Sequence, residues 1–375
     1  MRIGLLLVGN SSWVGGMYYV LNIVRGISQK HYLSNTTIVV FYSREVPEEI
    51  ITELKQNKLV SLVKLFDNSV FEKGINWVCR YFFHWNLWLS RLIDNQNVDV
   101  IYPLMSWDGK LKTKAKQLFW IYDFQHIYLP DYFSKEDYDQ RESTFSEIAK
   151  KASDIVVSSF VAKAHFEKQY PSSKAKLHVY QFPSIINVGE LTAKTEILSK
   201  YSIRKPYFLV CNQFWKHKNH ALVLDALVSI NEETLDRFEV VFTGKMEDYR
   251  NPDHINAIKQ KLTHPKLKII KNLGFIDRID QLSLMKYCMA VIQPSLFEGW
   301  GTVIEDAKTL GVSVLASDIP IHREQLGNHI RLFNPEDPDA LRMFIESSTT
   351  LAQSEFHYLE NENSNFLSIA LNALH

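Results

Sequence analysis

Phe297 to Gly311 reads FEGWGTVIEDAKTLG and follows the apolar run MAVIQPS, Met289 to Ser295. The run has the length of a buried strand, and Pro294, Gly299 and Gly301 prevent its continuation and force a tight connection into a helix starting near Gly301 or Thr302. Glycines let the backbone approach a ligand closely. The unpaired amides and positive dipole end of the new helix then form a site for a phosphate-sized anion. At about 100° per residue, Val303, Ile304, Ala307 and Leu310 make the apolar face, Asp306 flanks it and lines a cleft, and Glu305 points to solvent. Glu298 and Asp306 are the candidate carboxylates, although a loop acid and a dipole-favoured acid in a first helical turn explain them equally well.

A second site lies in CNQFWKHKNH, Cys211 to His220, between the strand-like YFLV and the amphipathic ALVLDALVSI. Lys216, His217 and Lys218 read either as a solvated basic turn or as anion ligands, and their place at a strand-to-helix turn favours the second reading. At the N-terminus, MRIGLLLVGNSSWVGGMYYVLNIVRGI reads as a strand, a glycine loop and a helix with apolar Val20, Ile23, Val24 and Ile27. This is a Rossmann-type opening without the GxGxxG fingerprint, and Gly15–Gly16 alone is also what a structural loop needs. A fourth cluster, LFWIYDFQHIYLPDYFS, places Asp123, Gln125, His126 and Asp131 just beyond an apolar strand, where α/β enzymes carry their chemistry. A histidine beside aromatics is also often a core residue.

Together these segments resemble the retaining GT-B glycosyltransferases of family four. That pattern is Glu, Gly, aromatic, Gly and a second Glu eight positions after the first; here Glu298, Gly299, Trp300 and Gly301 match, and Asp306 stands at the second acid. The resemblance implies that Glu298 contacts donor-sugar hydroxyls and that Asp306, or the adjacent Glu305, holds the nucleotide ribose. It also implies a diphosphate clamp made by Lys218, with Gln213 in place of the family's Arg and Lys216 in support, because glutamine donates hydrogen bonds but neutralises no charge. Gly274 to Ile276 would border the base, with Phe275 either stacking on it or packing in the core. Gly15 and Gly16 would wall the phosphates from the acceptor side. The family's His-Asp loop is matched by Tyr122–Asp123, and Asp123 and His126 are carried over as catalytic or acceptor-orienting residues.

The 375 residues suit two domains, and 46% apolar residues suffice for two cores. Forty-two basic and 42 acidic residues leave no net charge, which argues against a nucleic-acid partner. Cys79, Cys211 and Cys288 suggest neither a disulfide framework nor a zinc cluster and suit the cytoplasm. Residues 3–8 are too short for a signal core, and no 18-residue apolar window exists. INWVCRYFFHWNLWLSRLI, Ile75 to Ile93, fits a helix on a membrane surface, but its apolar residues nearly all round favour a core helix.

TIVVFY, LVSLVKLF, VDVIYPL, QLFWIY, DIVVSS and KLHVYQF read as strands of a mostly parallel first sheet. YFLVC, FEVVFTG, KLKIIKN, MAVIQPS and VSVLASD supply the second. The expected architecture is α/β, two Rossmann-like domains facing each other across a cleft: residues 1–184, a connection at 185–206, a nucleotide-sugar domain at 207–346, and a helical tail at 347–375 that in such folds often returns to the first domain.

The implied activity is metal-independent, retaining transfer from a nucleotide-diphosphate sugar to a sugar or lipid-linked saccharide acceptor, with no cofactor beyond the donor. Surface polysaccharide or glycolipid assembly, with peripheral contact at the inner face of a membrane, is the implied setting. The alternatives are a sugar-nucleotide epimerase on the same fold and a catalytically silent binding partner.

Overall fold

The computed structural model describes residues 1–8, 14–30, 35–65, 86–106, 111–327, 331–348 and 365–374. The chain divides into two compact units. The first holds Met1–Phe124, Asp139–Pro183 and Asn361–His375; the second holds Gln125–Tyr138 and Ser184–Glu360.

In the first unit, strands β1 (Arg2–Leu6), β2 (Thr37–Tyr42), β3 (Val60–Lys64), β4 (Val100–Leu104), β5 (Lys116–Ile121), β6 (Asp154–Val157) and β7 (Lys176–Val179) form one sheet in the order β3-β2-β1-β4-β5-β6-β7. All pairings are parallel, with Ile3 opposite Ile38 on one side and Val100 on the other. Parallel strands covered by helices on both faces are largely apolar; β4 and β6 are buried at every position, and the one charge in them, Asp154 at the start of β6, is paired with Lys116 and His178. Helix Phe366–Leu374 packs on helix Val14–Lys30 and on β5, setting Phe366 4.8 Å from the Tyr102 ring and 5.4 Å from that of Tyr180.

In the second unit, β8 (Tyr207–Cys211), β9 (Glu239–Thr243), β10 (Ile270–Asn272), β11 (Ala290–Gln293), β12 (Val314–Ser317) and β13 (Leu332–Phe333) take the order β10-β9-β8-β11-β12-β13, again all parallel. One face packs on Leu222, Val223, Leu227 and Phe238, the other on Leu284, Met285, Ile304 and Ala307. The order reverses between β8 and β11, the switch point at whose carboxyl ends open α/β sheets bind ligands.

Three details differ from the sequence expectation. KLKIIKN is strand only from Ile270, because Pro265 opens a 3-10 turn whose His264 Nδ1 accepts the Lys266 N–H. The stretch expected as a connection contains helix Lys194–Lys200, fastened to the second unit by Lys200 and the Tyr201 hydroxyl, each 2.6 Å from Asp280 Oδ2. Of the aromatic segment 75–93, residues 75–85 lie outside the described residues, and helix Leu87–Asn95 begins with the Asn86 side chain accepting from Leu89 N. No helix among the described residues is long and apolar enough to cross a membrane.

Candidate active site

The loops after β8 and β11 carry the two best sequence candidates, and the fold brings them together. Lys216–Lys218 form a 3-10 turn, and Asn219 then takes the left-handed conformation (φ 56°) that starts helix His220–Ser229. The Asn219 amide fixes that turn by donating to Pro335 O at 2.9 Å. Leu296 N donates to His217 O at 2.7 Å and ties the two loops across the switch point. Lys218 Nζ lies 2.6 Å from Glu298 Oε1.

Glu298 is the centre of a polar network. Its Oε1 also accepts from Ser295 Oγ at 2.6 Å and Gln293 Nε2 at 2.9 Å. Behind them, Asn212 donates to Gln293 Oε1 at 2.8 Å, and Ser317 Oγ donates to Ser295 O at 2.5 Å. His322 Nδ1 lies 2.8 Å from Ser317 O. Asn212, Gln293, Ser295, Ser317 and His322 are all buried, so each bond is made in a low dielectric and fixes its neighbours. All three donors converge on one carboxylate oxygen, leaving Oε2 outside the network. Burial raises the Glu298 carboxyl, but the Lys218 charge, then His217 and the bonds from Lys218 and Ser295, pull it down to about 2. Burial holds His322 neutral, its value pushed down to about 4 despite the nearby Glu298 charge.

Around this pair the backbone is tightly stitched. Gly244, after β9, has φ +120°, and a Cβ there would stand 2.3 Å from Asn212 O. Its N–H donates to Gly274 O at 2.7 Å, while Phe214 N donates to Lys245 O at 3.1 Å. The loops after β8, β9 and β10 are thereby held as one surface. Phe275 projects from it, 56% exposed, with the Lys245 ammonium 5.8 Å from its ring; this excludes the core reading of Phe275. Ile276 instead packs against the core beneath.

The remaining expectations fare differently. Helix Thr302–Thr309 starts where the glycines suggested, with Gly301 as its N-cap and Trp300 buried. The Gly301 amide, however, is taken by Gln325: Gly301 N donates to Gln325 Oε1 at 3.1 Å and Gln325 Nε2 donates to Gly301 O at 3.0 Å. Glu305, expected in solvent, is buried, accepting from Gln325 Nε2 at 3.0 Å and Lys308 Nζ at 3.1 Å. Helix Pro320–Leu326 covers that face, which an isolated helix would leave open. Burial raises the Glu305 carboxyl against the pull of Lys308. Asp306 is fully buried and ion-paired with Arg278. Gln213 Oε1 accepts from Trp215 Nε1 at 2.7 Å, and Lys216 directs its ammonium onto the Tyr132 ring, 4.4 Å from the centroid.

His126 is fully buried, its ring edge-on to Tyr138 at 5.4 Å and Phe133 at 6.3 Å; it is a core histidine of the second unit rather than a residue at the site surface. Asp123 belongs to the first unit, in an ion pair with Arg141 at 2.9 Å, and Arg141 also donates to the Tyr122 hydroxyl. Gly15 and Gly16 stand in the first turn of helix Val14–Lys30, not in the loop before it. The network residues Asn212, Gln293, Ser295, Ser317 and His322, with Arg278, Gln325 and Gly244, were not singled out in the sequence. Only their positions at strand ends mark them.

Residues 194–353 match the family described as glycosyl transferases group 1. Over 231 residues the chain is 23% identical to the O-antigen chain mannosyltransferase RfbU of Salmonella typhimurium, covering 60% of this chain and 59% of that protein. Over 151 residues it is 25% identical to the serotype-specific mannosyltransferase WbdA of Escherichia coli, covering 40% of this chain and 18% of that one. The chain thus spans less than two thirds of the length of either relative. Among solved structures, HepE of Anabaena in complex with UDP-glucose superposes with a TM-score of 0.62 at 16% identity, over 100% of this chain and 95% of that one.

Proposed function

We propose that this chain, which has the GT-B fold and carries a group 1 glycosyl transferase segment at residues 194–353, transfers a sugar from a nucleotide-diphosphate donor to an acceptor hydroxyl with retention of configuration. The observation that carries this reading is the Lys218–Glu298 pair at the switch point of the second sheet, with one oxygen of Glu298 saturated by donors. A carboxyl held at about 2 is a weak base and a weak nucleophile. Glu298 therefore orients sugar hydroxyls through Oε2 and takes no proton. Lys218 stabilises charge on the departing diphosphate. As the bond from the anomeric carbon to the diphosphate breaks, the acceptor oxygen bonds on the same face, and its proton passes to a diphosphate oxygen.

No metal or further cofactor is needed for that step. The mannosyltransferase relatives make mannose the first sugar to test and a growing surface polysaccharide, free or lipid-linked, the first acceptor class. A lipid-linked acceptor would bring the protein to the inner face of a membrane.

A thermal-shift panel against UDP, GDP, ADP and dTDP sugars, followed by transfer assays with the stabilising donor, tests the reading. One nucleotide should raise the midpoint, and product analysis should show the retained anomer. An inverted product sinks the retaining step. Sugar isomerisation without acceptor indicates an epimerase, and binding without turnover a silent partner.

A further inference from the structure

Asp306 stands where the family resemblance places the ribose ligand, yet its side chain has no exposure. Its Oδ1 accepts from Ser184 Oγ and Arg278 Nη2, both at 2.5 Å, and its Oδ2 is buried without a hydrogen-bond partner. An acid so enclosed touches no ligand unless both partners leave. Its charge is nevertheless felt locally: burial and then Asp306 push the Cys211 thiol up to about 12.

The exposed member of the pair is Arg278, whose side chain is 21% accessible. It opens helix Arg278–Tyr287, directly after the loop that presents Phe275 and turns at Gly274 with φ +68°. That helix packs on β8 and on helix Thr302–Thr309, and the Arg278 charge acts on Cys211, the last residue of β8. A guanidinium anchored by a buried carboxylate is a planar, pre-oriented set of N–H donors. With its charge offset by Asp306, the guanidinium suits uncharged oxygen acceptors, and it follows the exposed Phe275 by three residues in sequence.

Resting on the donor-site reading above, we propose that Arg278, held by Asp306, is the residue that recognises the nucleoside half of the donor, its N–H groups donating to ribose oxygens or base carbonyls. Asp306 is then a positioning residue, and nucleoside selection in this chain is made by a donor of hydrogen bonds in place of an acceptor.

Calorimetric titration of the full chain with UDP, GDP, ADP, dTDP and inorganic pyrophosphate tests this. The variants are Arg278→Met, Asp306→Asn and the double substitution, which removes the charge that Arg278→Met alone strands in the core. The double variant should unfold near the wild-type temperature and bind pyrophosphate within about twofold of wild type. It should bind the preferred nucleoside diphosphate about 10- to 100-fold more weakly, the loss expected for hydrogen bonds from a charged donor. Weaker binding of the 2′-deoxy nucleotide to wild type, with that difference abolished in the double variant, assigns the contact to the ribose; an unchanged difference assigns it to the base. Wild-type nucleotide affinity in the double variant overturns the proposal and leaves Arg278 a purely structural partner of Asp306. If the wild type binds pyrophosphate but no nucleotide, the nucleoside proposal fails alone; if it binds neither, the donor-site reading fails with it.

Discussion

At the scale of single residues, Lys218 decides the state of Glu298. Replacing Lys218 by Met should let burial dominate, so the Glu298 carboxyl should titrate well above 2, visible by NMR, and transfer should fall by about 10²- to 10³-fold. The same shift has a stability consequence. A carboxyl lowered in the folded state stabilises it above the unfolded value, near 4.5, and that contribution is lost as pH falls toward 2. His322 behaves alike for a different reason: kept neutral by burial, it favours folding above its ordinary 6.5 and loses that contribution as pH falls toward about 4. Denaturant titrations should therefore show stability declining first below about pH 6.5 and again below about 4.5. His322→Gln should reduce the first decline without abolishing it, because buried His220, pushed down to about 3, contributes in the same direction, and Glu298→Gln should reduce the second. Gly244→Ala should cost at least about 3 kcal/mol, since its φ of +120° and the 2.3 Å approach to Asn212 O leave a methyl no place.

At the scale of elements, the strands were largely legible, because parallel strands covered on both faces are continuous apolar runs, as in YFLVC and TIVVFY. The start of helix Thr302–Thr309 was legible too, since Pro294, Gly299 and Gly301 punctuate the chain there. The environment of that helix was not. A helical wheel places Glu305 relative to its own neighbours only, and the burial of Glu305 comes from helix Pro320–Leu326, more than a dozen residues away in sequence. Asp306 illustrates the same limit: nothing local foretells Arg278 and Ser184 as its partners. The bridge formed by Gln325 can be tested directly. Gln325→Ala should cost about 1–3 kcal/mol, because the Gly301 amide and Glu305 lose buried partners, and should speed hydrogen exchange at Gly301.

At the scale of the whole molecule, each unit draws on a distant part of the chain. Asn361–His375 clusters with the first unit, where Phe366 covers Tyr102 and Tyr180. Phe366→Ala should lower the stability of that unit by about 3–5 kcal/mol, measured by chemical denaturation. The second unit takes Gln125–Tyr138 from between β5 and β6. That segment lays Tyr132 against Lys216, Phe133 beneath the Arg250 guanidinium and Tyr128 on Phe297, beside Glu298. A cut after Pro183 therefore does not yield two interchangeable modules. A fragment beginning at Ser184 would lack fourteen residues of its own unit, the buried His126 among them, and recombination at that seam with a relative would pair one parent's Tyr128 with the other's Phe297. Supplied separately, a peptide of residues 125–138 should bind such a fragment, as a missing stave completes a cask.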